Sequence, residues 1–117
     1  MRTASLALVL LAVAACSDDQ TDPPPLDQDV AIVSGASTLG ATAYDPNPFT
    51  ISLAVQATVE WRNLDGVNHT VTADDASFSS ADITPTASYS KIFTSPGTYP
   101  YHCAIHPGMV GSIVVTP

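Results

Sequence analysis

Basic residues are nearly absent from this chain: three Lys and Arg stand against eleven Asp and Glu, for a net charge of −8. That shortage disfavours a nucleic-acid partner, because phosphate binding needs basic patches. It also leaves no attraction to an acidic membrane surface. Cysteine is scarce, with only Cys16 and Cys103, so each thiol has to be accounted for singly. No segment keeps a helical period over a full helix length, which argues against an all-helical fold. The longest apolar stretch, Ala4 to Ala15, is too short to span a bilayer. With 117 residues the chain allows one domain.

What is present divides the chain in three. Residues 1–15 carry Arg2 and then the apolar run, the pattern of a secretory signal peptide. The run ends in Val13-Ala14-Ala15-Cys16, which resembles the lipobox of bacterial lipoproteins, where the cysteine is lipidated and becomes the mature N-terminus. The plainer alternative is an ordinary signal peptide with an incidental cysteine. Export with lipidation at Cys16 places the protein in the cell envelope, periplasmic or extracytoplasmic, attached to a membrane by lipid alone. Residues 16–29 follow as an acidic, proline-rich tether, too poor in apolar side chains to pack. Extended at about 3 Å per residue, it reaches roughly 40 Å. Loss of residues 1–15 leaves Arg62 and Lys91 against all eleven acids, a net charge of −9. Such acidity either steers the protein to basic partners or is simply a solvated surface.

Residues 30–117 change character. Short runs of Val, Ile, Thr, Tyr and Phe alternate with polar residues and are punctuated by Pro, Gly, Asn and Asp. Strands are predicted at Val30–Ser34, Phe49–Leu53, Thr58–Arg62, His69–Ala73, Ser88–Thr94, Thr98–Cys103 and Gly111–Thr116. Turns are predicted at 45–48, 65–66 and 95–97. The pattern predicts an all-β, antiparallel β-sandwich, small enough for a bound metal to add useful stability.

The chemistry concentrates in Tyr101-His102-Cys103-Ala104-Ile105-His106-Pro107-Gly108-Met109, together with the distant His69. One thiolate, two imidazoles and a weak thioether make the ligand set of a blue-copper electron-transfer site, serving soft Cu(I) and harder Cu(II) alike. Pro107 and Gly108 rule out a helix through the motif, so a loop between two strands is expected to wrap the ion. Strand alternation turns His69, Val71 and Ala73 inward. It also sets Cys103 with Tyr101 and Tyr99, pointing His102 away from the site. Trp61, Phe93 and Tyr99 read as core. With Cys16 lipidated, Cys103 has no disulfide partner, as suits a metal-bound thiol.

These segments resemble the small blue copper proteins, the cupredoxins, and among them the plastocyanin and amicyanin group. The likeness is carried by Val67-Asn68-His69-Thr70-Val71-Thr72 and by Phe93 to Gly111, with Phe49-Thr50-Ile51 and Thr58-Val59-Glu60-Trp61 upstream. It implies a Greek-key β-sandwich, one copper ion held by His69, Cys103, His106 and Met109, and one-electron transfer between larger redox proteins. It further implies an electron-transfer surface at His106, Pro107 and Gly108. The chain departs from the pattern where Thr70 replaces an asparagine that ties the ligand loops together, Asn68 lying before the ligand instead. These two positions are the expected outer hydrogen-bonding partners of the site. Gln56 stands where a turn glycine is common.

Three other readings compete. A copper-holding or copper-delivery lipoprotein would use the same ligands without cycling the ion. A metal-free interaction module would make four matching ligand residues a coincidence. Zinc suits Cys and His but is poorly served by Met109. An enzyme is disfavoured, because four protein ligands leave no open position for substrate.

Overall fold

The computed structural model describes residues 28–117; the predicted signal peptide, Cys16 and all but the end of the tether lie outside the described residues. Eight strands form in chain order: β1 (Val30–Ile32), β2 (Tyr44–Asp45), β3 (Phe49–Ser52), β4 (Thr58–Asn63), β5 (Thr72–Ala73), β6 (Ser88–Ile92), β7 (Gly97–His102) and β8 (Val110–Thr116). They make two four-stranded sheets, ordered β2-β1-β4-β6 and β3-β8-β7-β5. Apolar residues alternate inward along β4 (Val59, Trp61) and β8 (Ile113, Val115), and the inner faces of both sheets close over one core. The predicted all-β sandwich is the observed architecture.

Pairing is mixed rather than wholly antiparallel. β1 runs parallel to β4, and β3 runs parallel to β8. Both are partners distant in sequence, joined by connections that cross between the sheets, so no hairpin turn dictates their direction. The predicted strand at His69 shrinks to β5, with His69 held only by a bridge to Ile83. β2 and two short 3₁₀ turns, Ala36–Thr38 and Gly40–Thr42, carry no periodic signal and were not predicted. Asp29, assigned to the tether by sequence, is bound to the domain. Its amide donates to the Glu60 carbonyl, and its carboxylate accepts from the Glu60 amide and from Gln56. Gln56 thereby fills the role of a turn residue, its own amide donating to Ser52.

Strand direction gives the sandwich two unlike ends. β4 runs into the loop that carries His69, and β7 runs into Cys103. β1, parallel to β4, rises to the same end. β6 and β8 are antiparallel to β4 and β7 and descend, as does β3. The turns 53–57 and 93–96, and the point at which the chain enters the domain, therefore lie at the opposite end.

Candidate metal centre

β7 ends at His102 and the next residue, Cys103, turns fully into the core, as alternation requires. The loop from Cys103 to Met109 closes through two backbone bonds, Cys103 N–H to the Met109 carbonyl (3.1 Å) and Met109 N–H to the His106 carbonyl (2.9 Å). No helix forms there. Met109 is completely buried, whereas His106 keeps part of its ring exposed. From the other loop, His69 is fully buried, its ring centroid 5.0 Å from that of His106.

These loops bring three donors together. Cys103 Sγ lies 3.9 Å from His69 Nδ1 and 3.7 Å from His106 Nδ1, and the three ligand atoms all fall within 4.8 Å of one another. A first-row ion sits about 2.0–2.3 Å from imidazole nitrogen or thiolate sulfur, so one ion fits between Sγ and either imidazole nitrogen at these separations. The Thr70 amide donates to Sγ at 3.3 Å. His102 stands apart: its Nδ1 meets Asp74 Oδ1 at 2.6 Å on the outer face.

The polar frame around the donors differs from the one expected. Thr70 does tie the loops together, its Oγ1 accepting from the Ala104 amide at 2.8 Å. Asn68 makes no side-chain hydrogen bond among the described residues, which corrects its expected part in that frame. The asparagine that matters is Asn63, fully buried at the end of β4. Its Nδ2 donates to the Val67 and Ile83 carbonyls and its Oδ1 accepts from the Asp65 amide, shaping the turn before His69. Tyr44 braces the same region by donating to the Thr70 carbonyl at 2.7 Å. Burial first, and Cys103 next, push its phenol pKa far upward.

Asp65 is the residue that sequence reasoning passed over, because Asp65-Gly66 reads only as a turn. Its Oδ2 lies 2.7 Å from His69 Nε2, and its Oδ1 accepts from the Gly35 and Gly66 amides. The Gly35 amide, and then the His69 contact, lower its pKa from 3.8 to about 2. An ionised carboxylate only accepts, so the His69 proton resides on Nε2 and the Nδ1 lone pair faces the cluster. Because the folded pKa lies below the ordinary value, the stability contributed by Asp65 is complete above pH 3.8 and drains away as pH falls toward 2. Asp65→Asn is expected to flatten that part of the acid-unfolding curve of the metal-free domain. It should also weaken metal binding by about 10–100-fold, as loss of such outer partners does. Circular dichroism against pH and competitive metal titration read the two effects.

Fold and cluster together define a small β-sandwich protein with a metal-competent His–Cys–His site built from two loops at one end. The family model of the cupredoxin-like domain matches residues 4–115, and the chain belongs to that family. It is 34% identical over 70 residues to amicyanin from Paracoccus denitrificans, a match covering 56% of this chain and 53% of that protein. The chain thus spans about half the length of that curated relative. Among solved structures it resembles a purple cupredoxin from Nitrosopumilus maritimus, with a TM-score of 0.68, 28% identity, 77% of this chain and 100% of that one covered. It also resembles a Cu(I) amicyanin variant, with a TM-score of 0.58, 29% identity, 74% of this chain and 78% of that one covered. A copper-containing nitrite reductase from Thermus scotoductus matches with a TM-score of 0.60 and 28% identity over 75% of this chain, but over only 22% of the enzyme.

Proposed function

We propose that this protein is a one-electron carrier holding one copper ion through His69, Cys103, His106 and Met109, exported and fixed to a membrane by lipid on Cys16. The observation that carries the reading is the buried Cys103 Sγ flanked at 3.7 and 3.9 Å by two imidazole nitrogens, with a buried methionine closing the same loop. Copper, when bound, supplies the one-electron couple. The chain supplies the rest. Asp65 holds the His69 tautomer, the Thr70 and Ala104 contacts keep the loops at fixed separation, and the buried donors exclude water. A frame that does not rearrange suits rapid gain and loss of an electron. Four protein donors leave no position for a substrate, so the role is transfer rather than catalysis.

His106 is the donor with a path to the surface. Among the described residues, five of the seven large exposed apolar side chains lie in or beside the segments at this end: Leu39, Leu64, Val67, Ile105 and Val110. Leu39 belongs there because the neighbouring Gly40 approaches Gly108 of the ligand loop, a Cβ on it meeting the Gly108 carbonyl at 3.9 Å. An apolar rim around His106, Pro107 and Gly108 fits a redox partner that docks by a matching apolar face. The surrounding acids favour a partner rimmed with basic residues.

Copper titration of the exported chain carrying Cys16→Ser is the direct test. One copper per chain is expected, with an intense visible band bleached by ascorbate and restored by ferricyanide over repeated cycles. Release of the metal at each reduction would instead establish the copper-holding or delivery role.

A further inference from the structure

Among the described residues, the two remaining large exposed apolar side chains are the most exposed and lie at the other end. Val55 is 87% and Ile92 61% exposed. They stand on adjacent segments, since Ile92 pairs with Thr58 and the Phe93 amide donates to the Ala57 carbonyl. Residues 53–58 and 92–97 together contain no ionisable side chain, in a chain with eleven acids. Asp29, at this end, has both carboxylate oxygens engaged by the domain itself, and Pro117 lies here too, its main-chain oxygen accepting from the Ser52 hydroxyl. The only lysine, Lys91, adjoins Ile92. Asp65 and Asp82, by contrast, flank the His69 region at the metal end. The chain also enters the domain here, at Asp29 beside Glu60.

We infer that this charge-poor end is the membrane-facing surface of the protein, resting Val55 and Ile92 on the bilayer while the His106 face points away from it. The inference rests on lipid attachment at Cys16 and adds to it an orientation. Two aliphatic side chains make a weak contact alone, but a short tether raises the local concentration of the surface to about the millimolar range. An anionic bilayer repels the acids at the metal end more than the charge-poor end. The electron-transfer face is thereby left open to partners approaching from the aqueous side.

The test uses the mature chain from Cys16 with Cys103→Ser, so that Cys16 is the only thiol, joined through maleimide to a diacyl lipid. It is placed in nanodiscs of phosphatidylethanolamine and phosphatidylglycerol bearing a gadolinium-chelated headgroup. Strands rising about 3.3 Å per residue separate the two ends by roughly 20 Å or more, so paramagnetic relaxation at the Val55, Gln56 and Ser95 amides should exceed that at Ile105, Gly108 and Val110 at least about threefold. Equal enhancement at both ends, or a larger effect at Gly108, would overturn the orientation. The double variant Val55→Asp, Ile92→Asp should equalise the two ends with amide dispersion unchanged. A preference that survives the variant would remove these two residues from the contact. Mass analysis of the chain extracted from membranes tests the anchor separately. An unlipidated Cys16 would defeat the attachment reading, while the artificially tethered chain still reports which end faces lipid.

Discussion

Cys103→Ser abolishes the intense visible band of the copper(II)-loaded protein while leaving the metal-free fold in place. The sulfur is the only soft anionic donor in the cluster, and it is fully buried between two imidazole nitrogens. Serine is smaller by little and can still accept from the Thr70 amide that donates to Sγ at 3.3 Å. The metal-free midpoint of thermal unfolding should therefore shift only slightly. Its hydroxyl, however, is a hard and far less acidic donor, which neither suits Cu(I) nor gives thiolate-to-copper charge transfer. Absorption spectroscopy and thermal denaturation of the variant read the two halves of the prediction. A visible band that persists at wild-type strength would show that another residue holds the ion.

Gly111→Ala produces the largest loss of stability expected from so small a change. Gly111 pairs across the strands with Tyr101, and a Cβ on it would meet the Tyr101 ring carbons Cζ and Cε2 at 2.6 and 2.9 Å and its hydroxyl oxygen at 2.6 Å. The ring cannot yield. It is fully buried, with Tyr44 edge-on at 4.7 Å and Trp61 edge-on at 5.5 Å. Its hydroxyl meets no hydrogen-bond criterion among the described residues, and burial raises its pKa. Overpacking of this kind costs about 2–3 kcal/mol, which for a domain of this size lowers the melting midpoint by on the order of 10–20 °C. Gly66→Ala is the control, since nothing lies within 4 Å of its Cβ position. Equal melting midpoints for the two variants would contradict the close approach.

The contrast between His102 and Cys103 shows how far local pattern reaches. Two neighbours in one strand face opposite sides, so alternation alone sent the thiol into the core and the imidazole out to Asp74. Pro107 and Gly108 likewise excluded a helix and made the ligand segment a loop. Thr70 marks the boundary of that reasoning. Its place after His69 suggested a hydrogen-bonding role, but only the folded chain shows the Ala104 amide 34 positions away as its partner. Asp65 lay beyond it. A turn aspartate carries no mark distinguishing one that caps a local bend from one that also grips a histidine and the Gly35 amide.

The sequence by itself determined the sandwich class, most strand positions, the loop form of the ligand segment, and the inward facing of His69 and Cys103 against the outward facing of His102. These properties follow from residue-by-residue alternation and from the conformational limits of proline and glycine, which act over a few residues. Tertiary structure alone decided the parallel pairings of β1 with β4 and β3 with β8, the Asp65–His69 contact, and the separation of the molecule into a metal end and a charge-poor end. Each depends on which distant segments share the burial of a single core, and no local preference records that choice.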